Sequence, residues 1–355
     1  NIVHHYQEYI LIRPTLPSLK LRRLTSLALA ITVFAAPVAA FAQANKKPSA
    51  NPTPAAPLAW PTQTVKLIVG FPAGSSPDLT ARTLAEPLSK ALGQPVIVEN
   101  KVGAGGNIAA DFVAKATDNH TIGLMINGNM TIAKLLNPKL SYDPLTDFAP
   151  ISLIGVSPLV LVAPLNAPGN NAKEFFVAAR NAGNKWNYGS PGVGTVGHIG
   201  MEMLKGKAGI DPLHVPYAGY PQIATAMLGG QLQLSMMPPG LANAQIKAGK
   251  LKAIGTTSSG RSPLVPDLPS MAEADIRGFN LEIWNALAGP KNLPPAVVNK
   301  LATLTSDIAR SPEIRQKLFN QGWQVAGTTA EGLATRIKSD TALLGGIIQM
   351  RGITN

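Results

Sequence analysis

The 355-residue chain contains no cysteine, and this absence removes several chemistries at once. Without thiols there is no disulfide, no thiolate nucleophile and no cysteine-ligated zinc site. Only 14% of the residues are charged and 5% are aromatic, and no run of Lys or Arg is longer than two. A nucleic-acid surface needs clustered basic residues interleaved with aromatic ones. The sequence therefore argues against nucleic-acid binding, although the formal net charge is +12.

Residues suited to catalysis are also scarce. Beyond residue 42 the only histidines are His120, His198 and His214, and no pair of His, Asp or Glu has the spacing of metal ligands. Ser190 and His198 could be imagined as a nucleophile and its base, but no nucleophile elbow surrounds Ser190. We expect His198 to hydrogen-bond the first turn of the helix that follows it. The sequence thus predicts no catalytic residue, no metal and no cofactor, and a protein that is not an enzyme.

The N-terminal part has the pattern of an export signal. A basic segment ends at Arg23, the apolar run Leu24 to Ala39 follows, and Ala40-Phe41-Ala42 supplies small residues for cleavage before Gln43. We interpret residues 1–42 as an upstream segment and a cleavable signal peptide, which predicts a periplasmic protein. An uncleaved anchor helix is the alternative, since about 18 apolar residues can just span a bilayer.

After a tether rich in Ala, Pro and Asn (residues 43–59), short apolar runs alternate with helical patterns. Val65–Gly70 is apolar without strict alternation, as in a strand that is buried on both faces. Ser76 suits the N-cap of the next helix, and Gly93 suits its end. Two series of such units predict an α/β protein with two parallel sheets. A (β/α)8 barrel is the alternative.

Two loops between a strand and a helix are rich in Gly, Ser and Thr: Gly70 to Asp78 and Tyr188 to His198. Free N–H groups and the positive end of the helix dipole make such a place an anion site. The alternative is an ordinary tight turn.

Gly192, Gly194 and Gly197 match the dinucleotide pattern G-x-G-x-x-G by spacing. The short polar strand before them and the lack of a well-placed acidic residue argue against a dinucleotide-binding site.

Several segments, in order across nearly all of the chain beyond the tether, resemble one family, the Bug-type extracytoplasmic receptors of tripartite tricarboxylate transporters. The segments are KLIVGFPAGSSPD (Lys66–Asp78), ENKVGAGGNIAA (Glu99–Ala110), SYDPLTDFAPISLIG (Ser141–Gly155), NYGSPGVGTVGHI (Asn187–Ile199), HVPYAGYPQ (His214–Gln222), GGQLQL (Gly229–Leu234) and AGKLKAIGTTSSGRSPLVPDLPSMAE (Ala248–Glu273).

This resemblance implies a two-lobed periplasmic-binding-protein fold of the Venus-flytrap, type II-like kind. Residues 60–155 and 285–355 are then expected to form lobe one and residues 156–284 lobe two. The chain is expected to cross between the lobes near Leu153 to Pro158 and again near Leu281 to Leu287.

The resemblance also implies a ligand carboxylate that is bound between the lobes by the two Gly-rich loops. The ligand-binding residues expected from it are Phe71, Ala73, Gly74, Ser75, Ser76, Asp78, Asn127, Ser190, Gly192, Gly194, Thr195, His198, Tyr217, Ala218 and Gly219. We expect Asp78 to stabilise the helix start and not to touch the ligand, because its carboxylate would repel an anion.

The chain departs from the usual family pattern in the first loop (Gly74 to Asp78), at Val193 and Gly197, and after the strand near Leu234, where Met236-Met237-Pro238-Pro239 replaces an acidic or amide residue. From this last departure we predict an apolar pocket wall and a ligand without a cationic amine.

The function implied is a monomeric receptor that delivers a small carboxylate to the membrane permease subunits of a tripartite transporter. A receptor that feeds a sensor kinase is the first alternative, and an enzyme on the same scaffold is a weaker one.

Overall fold

The computed structural model describes residues 59–354, so the interpretation of residues 1–42 and nearly all of the tether lies outside the described residues. The described part contains eleven strands: β1 (Val65–Val69), β2 (Val96–Asn100), β3 (Thr121–Ile126), β4 (Phe148–Pro158), β5 (Val160–Pro164), β6 (Asn187–Ser190), β7 (Leu213–Pro216), β8 (Leu234–Met237), β9 (Leu251–Thr256), β10 (Glu282–Pro290) and β11 (Gln324–Val325).

The strands form two sheets, as expected. The first has the order β11-β4-β10-β3-β1-β2 and the second the order β7-β6-β8-β5-β9. We call the first sheet, with the helices packed on it, the first lobe, and the second sheet, with its helices, the second lobe.

The described helices are α1 (Ser76–Leu92), α2 (Asn107–Ala114), α3 (Asn127–Met130), α4 (Ala133–Leu136), α5 (Ala172–Ala182), α6 (Val196–Ala208), α7 (Tyr220–Leu228), α8 (Pro239–Lys247), α9 (Pro295–Arg310), α10 (Pro312–Asn320) and α11 (Ala330–Arg351). Within residues 59–354, no helix has the length and apolar character needed to cross a membrane.

The sheets are mixed, whereas the sequence predicted parallel ones. β1 is parallel to both β2 and β3, but β10 runs antiparallel to β3 and β4. In the second sheet, β5 is antiparallel to its neighbours β8 and β9. The exceptions are β10 and β5, by which the chain enters each lobe from the other, and the short edge strand β11, which runs antiparallel to β4. Strand–helix alternation within a lobe does not specify their direction.

The first helix begins one residue earlier than predicted. Ser75 is the N-cap and Ser76 is already helical, and neither hydroxyl caps the helix. At the other end Gly93 has φ of 70° and donates its N–H to the carbonyl of Ser89, as predicted for a C-cap glycine. The apolar face of this helix, which includes Leu84 and Leu88, packs in the core of the first lobe.

The two chain crossings are joined by hydrogen bonds at one buried threonine. Leu159, between β4 and β5, donates its N–H to the Thr257 hydroxyl at 2.8 Å and accepts the Thr257 N–H at 2.8 Å. The Thr257 hydroxyl in turn donates to the carbonyl of Leu281, just before β10, at 2.6 Å. The chain therefore passes between the lobes twice at one place.

The C-terminal helix α11 packs against both lobes. Leu333 and Ile337 belong to a core cluster of the first lobe, whereas Leu344 and Ile347 belong to the main cluster of the second. The expected assignment of residues 285–355 to lobe one stays a prediction.

Candidate ligand site between the lobes

The loop from β1 to α1 is shaped by the carboxylate of Asp78. It accepts the Gly74 N–H at 2.9 Å, the Arg82 Nε–H at 3.0 Å and the Asn100 Nδ2–H at 2.9 Å. Burial alone would raise the pKa of Asp78, but the hydrogen bonds from Arg82 and Asn100 outweigh it and keep this pKa below its usual range. Asn100 also donates to the carbonyl of Phe71 at 2.8 Å. The carboxylate is thus hydrogen-bonded within the protein and fixes the loop at Gly74, whereas the predicted role was a cap of the helix start.

The same loop leaves two serine hydroxyls without a partner. Ser75 and Ser76 are 1% and 4% exposed, and their Oγ atoms make no hydrogen bond. A buried polar atom without a partner costs about 1–3 kcal/mol. Both stand at the N-terminus of α1, where backbone N–H groups also lack intrahelical partners. This place favours an anion.

Hydrogen bonds within the loop from β6 to α6 fix the shape of this loop. The Thr195 hydroxyl donates to the carbonyl of Gly192 at 2.7 Å, and the Gly192 N–H donates back to the Ser190 hydroxyl at 3.3 Å. Gly192 and Gly194 have φ of 121° and 80°, values that favour glycine. The loop therefore presents the start of α6 towards the first lobe.

Two stacked histidines lie beneath this second loop. The rings of His198 and His214 are 4.3 Å apart, and His214 Nε2 is 2.7 Å from the Ser190 hydroxyl. His198 Nδ1 accepts the Gly194 N–H at 3.3 Å, so it bonds the loop before α6, whereas the prediction was a hydrogen bond to the first helical turn. Burial, followed by the charge of Lys205, lowers the pKa of His198 to about 4, and burial with the neighbouring His198 lowers the pKa of His214 to about 4. Both rings are thus neutral near pH 7 and support the loop.

A small cavity of about 40 Å³ lies where the starts of α1 and α6 face each other. Its lining comes from both lobes and from the C-terminal segment: Phe71, Ser75, Ser76, Pro77, Ile126, Asn127, Pro191, Thr195, Val196, Gly197, Tyr220, Pro238, Ile283, Trp284, Asn285 and Trp323. Among residues 59–354, seven buried side-chain polar atoms lack a partner, and four belong to this lining: Ser75 Oγ, Ser76 Oγ, Asn127 Oδ1 and Trp323 Nε1. We call this cavity the helix-start cavity.

A larger cavity of about 400 Å³ lies nearby, also between the lobes. Its lining includes Asn107, Leu136 and Leu140 of the first lobe and Val193 and Tyr217 of the second. None of its lining residues carries a buried polar atom without a partner. Since unpartnered polar atoms point to a missing ligand more directly than empty volume does, the helix-start cavity is the better candidate.

The expected ligand-binding residues divide between these places. Five line the helix-start cavity: Phe71, Ser75, Ser76, Asn127 and Thr195. Four line the larger cavity: Gly192, Gly194, Tyr217 and Ala218. Six line neither: Ala73, Gly74, Asp78, Ser190, His198 and Gly219. Of these six, Gly74, Asp78, Ser190 and His198 make the internal hydrogen bonds of the two loops.

The predicted apolar wall, Met236 to Pro239, reaches the helix-start cavity only at Pro238. Met236 and Met237 line neither cavity, because both are fully buried in cores of the second lobe. Trp284, Trp323 and Tyr220 form most of the aromatic lining. The motifs gave no signal for the two tryptophans, which lie in the crossing strand β10 and just before β11.

The lobes touch closely beside this cavity. A Cβ on Gly192 would lie 2.8 Å from Cα of Gly105, and a Cβ on Gly128 would lie 2.5 Å from the carbonyl oxygen of Gly194. Real Cβ atoms do not approach other atoms so closely. Glycine on the facing surfaces therefore permits the backbones of the two lobes to meet.

Comparison with known proteins agrees with this architecture. Residues 80–353 match the family described as "Tripartite tricarboxylate transporter family receptor". A UPF0065 protein of Bordetella pertussis is 33% identical over 295 residues, which cover 83% of this chain and 91% of that protein. The solved periplasmic binding protein BugD is 33% identical with a TM-score of 0.79, over 83% of this chain and 99% of its own. A Rhodopseudomonas palustris protein solved with adipate is 28% identical with a TM-score of 0.80, over 83% of this chain and 99% of its own. The resemblance and the two-lobed fold that it implied are thereby confirmed, and the chain belongs to the family of tripartite tricarboxylate transporter receptors.

Proposed function

We propose that the protein captures a small carboxylate in the helix-start cavity and delivers it to the permease of a tripartite transporter. The observation that carries this proposal is that four of the buried polar atoms without a partner belong to residues that line one cavity between two helix starts. The R. palustris relative with bound adipate supports the ligand class.

The electrostatics of the cavity favour an anion. The N-termini of α1 and α6 each carry a positive partial charge, and the Ser75 and Ser76 hydroxyls can donate to a carboxylate. The carboxylate of Asp78 could repel a bound anion. It accepts hydrogen bonds from Gly74, Arg82 and Asn100, however, and does not line the cavity. An anion at this place therefore meets no carboxylate in the cavity lining.

Capture by closure of the lobes fits the contacts at Gly128 and Gly192, which join the lobes beside the cavity. Rotation about the crossings at Leu159 and Thr257 would open it. Affinity for the ligand is then expected to fall once the pH drops below the pKa of the acid, because the protonated acid loses its charge.

We further propose that the protein acts in the periplasm as a monomer, after removal of the predicted signal peptide. A sensor kinase as the receiving partner stays an alternative. Catalysis has little support, because the Ser190 hydroxyl is fully buried and lines neither cavity. The sequence argument against nucleic-acid binding is unchanged.

A thermal-shift screen tests the proposal. The purified protein, stripped of ligand by unfolding and refolding, is heated with mono-, di- and tricarboxylates, aromatic acids and amino acids. A ligand present at about 100 times its dissociation constant should stabilise the fold by about 2.7 kcal/mol, which raises the melting temperature visibly. Amides of the same acids serve as uncharged controls. Equal shifts with acids and amides, or steady turnover of a bound acid, would contradict a carboxylate receptor.

A further inference from the structure

The residues that line the helix-start cavity carry four side-chain atoms without a partner: two hydroxyls, which can donate or accept, one N–H donor and one amide oxygen. Ser75 and Ser76 Oγ–H and the Trp323 Nε1–H can donate to a ligand, whereas Asn127 Oδ1 can only accept. The orientation of Asn127 is fixed, since its Nδ2–H donates to the carbonyl of Glu282 at 3.0 Å. A bare carboxylate would satisfy the donors but would leave this acceptor without a partner. The ligand therefore needs a hydrogen-bond donor of its own.

That donor should be uncharged. The lining of the cavity contains no Asp, Glu, Lys, Arg or His. An ammonium group would meet no carboxylate there, and a second ligand carboxylate would meet no side-chain cation. A hydroxyl group is an uncharged donor, so it needs neither a side-chain carboxylate nor a side-chain cation as its partner.

The ligand should also be small. The cavity volume of about 40 Å³ compares with about 10–15 Å³ for a site that holds one water. Most of the rest of the lining is apolar, with Phe71, Ile126, Val196 and Ile283 around the polar atoms. A short aliphatic body fits this surface.

We propose that the cavity selects a small aliphatic hydroxy-monocarboxylate, whose oxygens accept from Ser75, Ser76 and Trp323 and whose hydroxyl donates to Asn127 Oδ1. This selectivity rests on the proposed carboxylate capture and adds Asn127 and Trp323 as the residues that determine specificity. A site that is built to hydrogen-bond a hydroxyl discriminates strongly against the analogue without it, because its own buried group is then left unpaired.

Pairs of acids that differ by one hydroxyl group test the preference for a hydroxy-monocarboxylate. The stripped protein is titrated calorimetrically with glycolate, lactate, 2-hydroxybutyrate and 3-hydroxybutyrate, and with acetate, propionate and butyrate. Alanine, succinate and adipate complete the set. At least one hydroxy acid should bind tenfold or more tightly than its deoxy partner and than alanine or the dicarboxylates. Tighter binding of a deoxy acid, an amino acid or a dicarboxylate would overturn the preference but leave carboxylate capture standing. No binding by any acid would overturn both.

Two variants test whether Trp323 and Asn127 cause the preference for a hydroxy acid. Trp323→Phe removes one N–H and keeps an aromatic ring, so it should weaken the best hydroxy acid about tenfold. Because Trp323 belongs to the core of the first lobe, the smaller ring should also lower the melting temperature of the ligand-free protein, and affinities are compared at a temperature where both proteins are folded. Asn127→Leu should bring the ratio between hydroxy and deoxy acid close to one. Trp186→Phe, in the second lobe beside Phe175 and outside the cavity lining, is the control and should bind like wild type. Wild-type affinity in Trp323→Phe together with an unchanged ratio in Asn127→Leu would contradict the proposal.

Discussion

At the scale of single residues, the two Gly-rich loops keep their shape through side chains that do not line the helix-start cavity. Asp78 binds the first loop at Gly74, and His198 binds the second at Gly194. Sequence reasoning placed both residues near the site because they belong to the loop motifs. It could not separate residues that shape a loop from residues that face a ligand, since the motif contains both.

The stacked histidines give the protein a dependence on pH that is separate from ligand binding. An unperturbed histidine has a pKa of about 6.5, whereas His198 and His214 have pKa values of about 4 in the folded protein. Between these values the unfolded chain binds more protons than the folded one. The free energy of unfolding should therefore fall as the pH drops from about 6.5 to about 4, by up to about 1.4 kcal/mol per pH unit for each histidine.

Urea unfolding at pH 7 and pH 5 measures this effect. The wild type should lose more stability between the two pH values than the double variant His198→Gln/His214→Gln. Both should also be compared at pH 7, so that the structural cost of the substitutions is subtracted. Equal losses in the two proteins would show that the histidine pair is not the cause.

Trp323 illustrates what the sequence could not reveal at this scale. Its indole N–H lacks a partner although the residue is only 2% exposed. It lies far along the chain from both loop motifs and reaches the cavity because β11 pairs with β4 and α10 packs against α1, α9 and β11. No local pattern carries that information.

At the scale of elements, the prediction of strands, helices and loops was largely right, because burial on both faces and helix-capping residues are local signals. Val65–Val69 is a buried strand, and Gly93 ends α1 as expected. The direction of β5 and β10 was wrong, because it depends on where the chain crosses between lobes. Direction is a property of topology and not of a strand's own residues.

The close approach of the lobes at α3 gives a prediction for closure. Gly128→Ala would place a Cβ against the carbonyl of Gly194 and should hinder closing, so affinity for the ligand should fall at least tenfold. X-ray scattering should show that this variant stays more extended than wild type at saturating ligand. Gly346→Ala, in α11 with open space around its Cβ, should keep wild-type affinity and gain about 0.5–1 kcal/mol of stability. Equal affinity in the two variants would contradict closure at this contact.

At the scale of the whole molecule, the family resemblance predicted two lobes, which the fold confirms, and a ligand site between them, which stays a prediction. The predicted lobe boundaries stay a prediction, and α11 contributes to the cores of both lobes. The cavity itself could not be predicted, since its size depends on how closely the glycines of the two lobes approach.

The most direct test of the account is a calorimetric titration of the double variant Ser75→Ala/Ser76→Ala with the best acid from the screen. Hydrogen bonds to a charged group contribute about 1.5–3 kcal/mol each, so the double variant should bind at least tenfold more weakly. Its stability without ligand should not fall, because neither hydroxyl has a partner in the protein. Ser89→Ala is the matched control on the same helix. Its hydroxyl is bonded to Ala85 and Val96, so it should lose about 1 kcal/mol of stability and keep its affinity. Wild-type affinity in the double variant would place the carboxylate elsewhere and contradict the account.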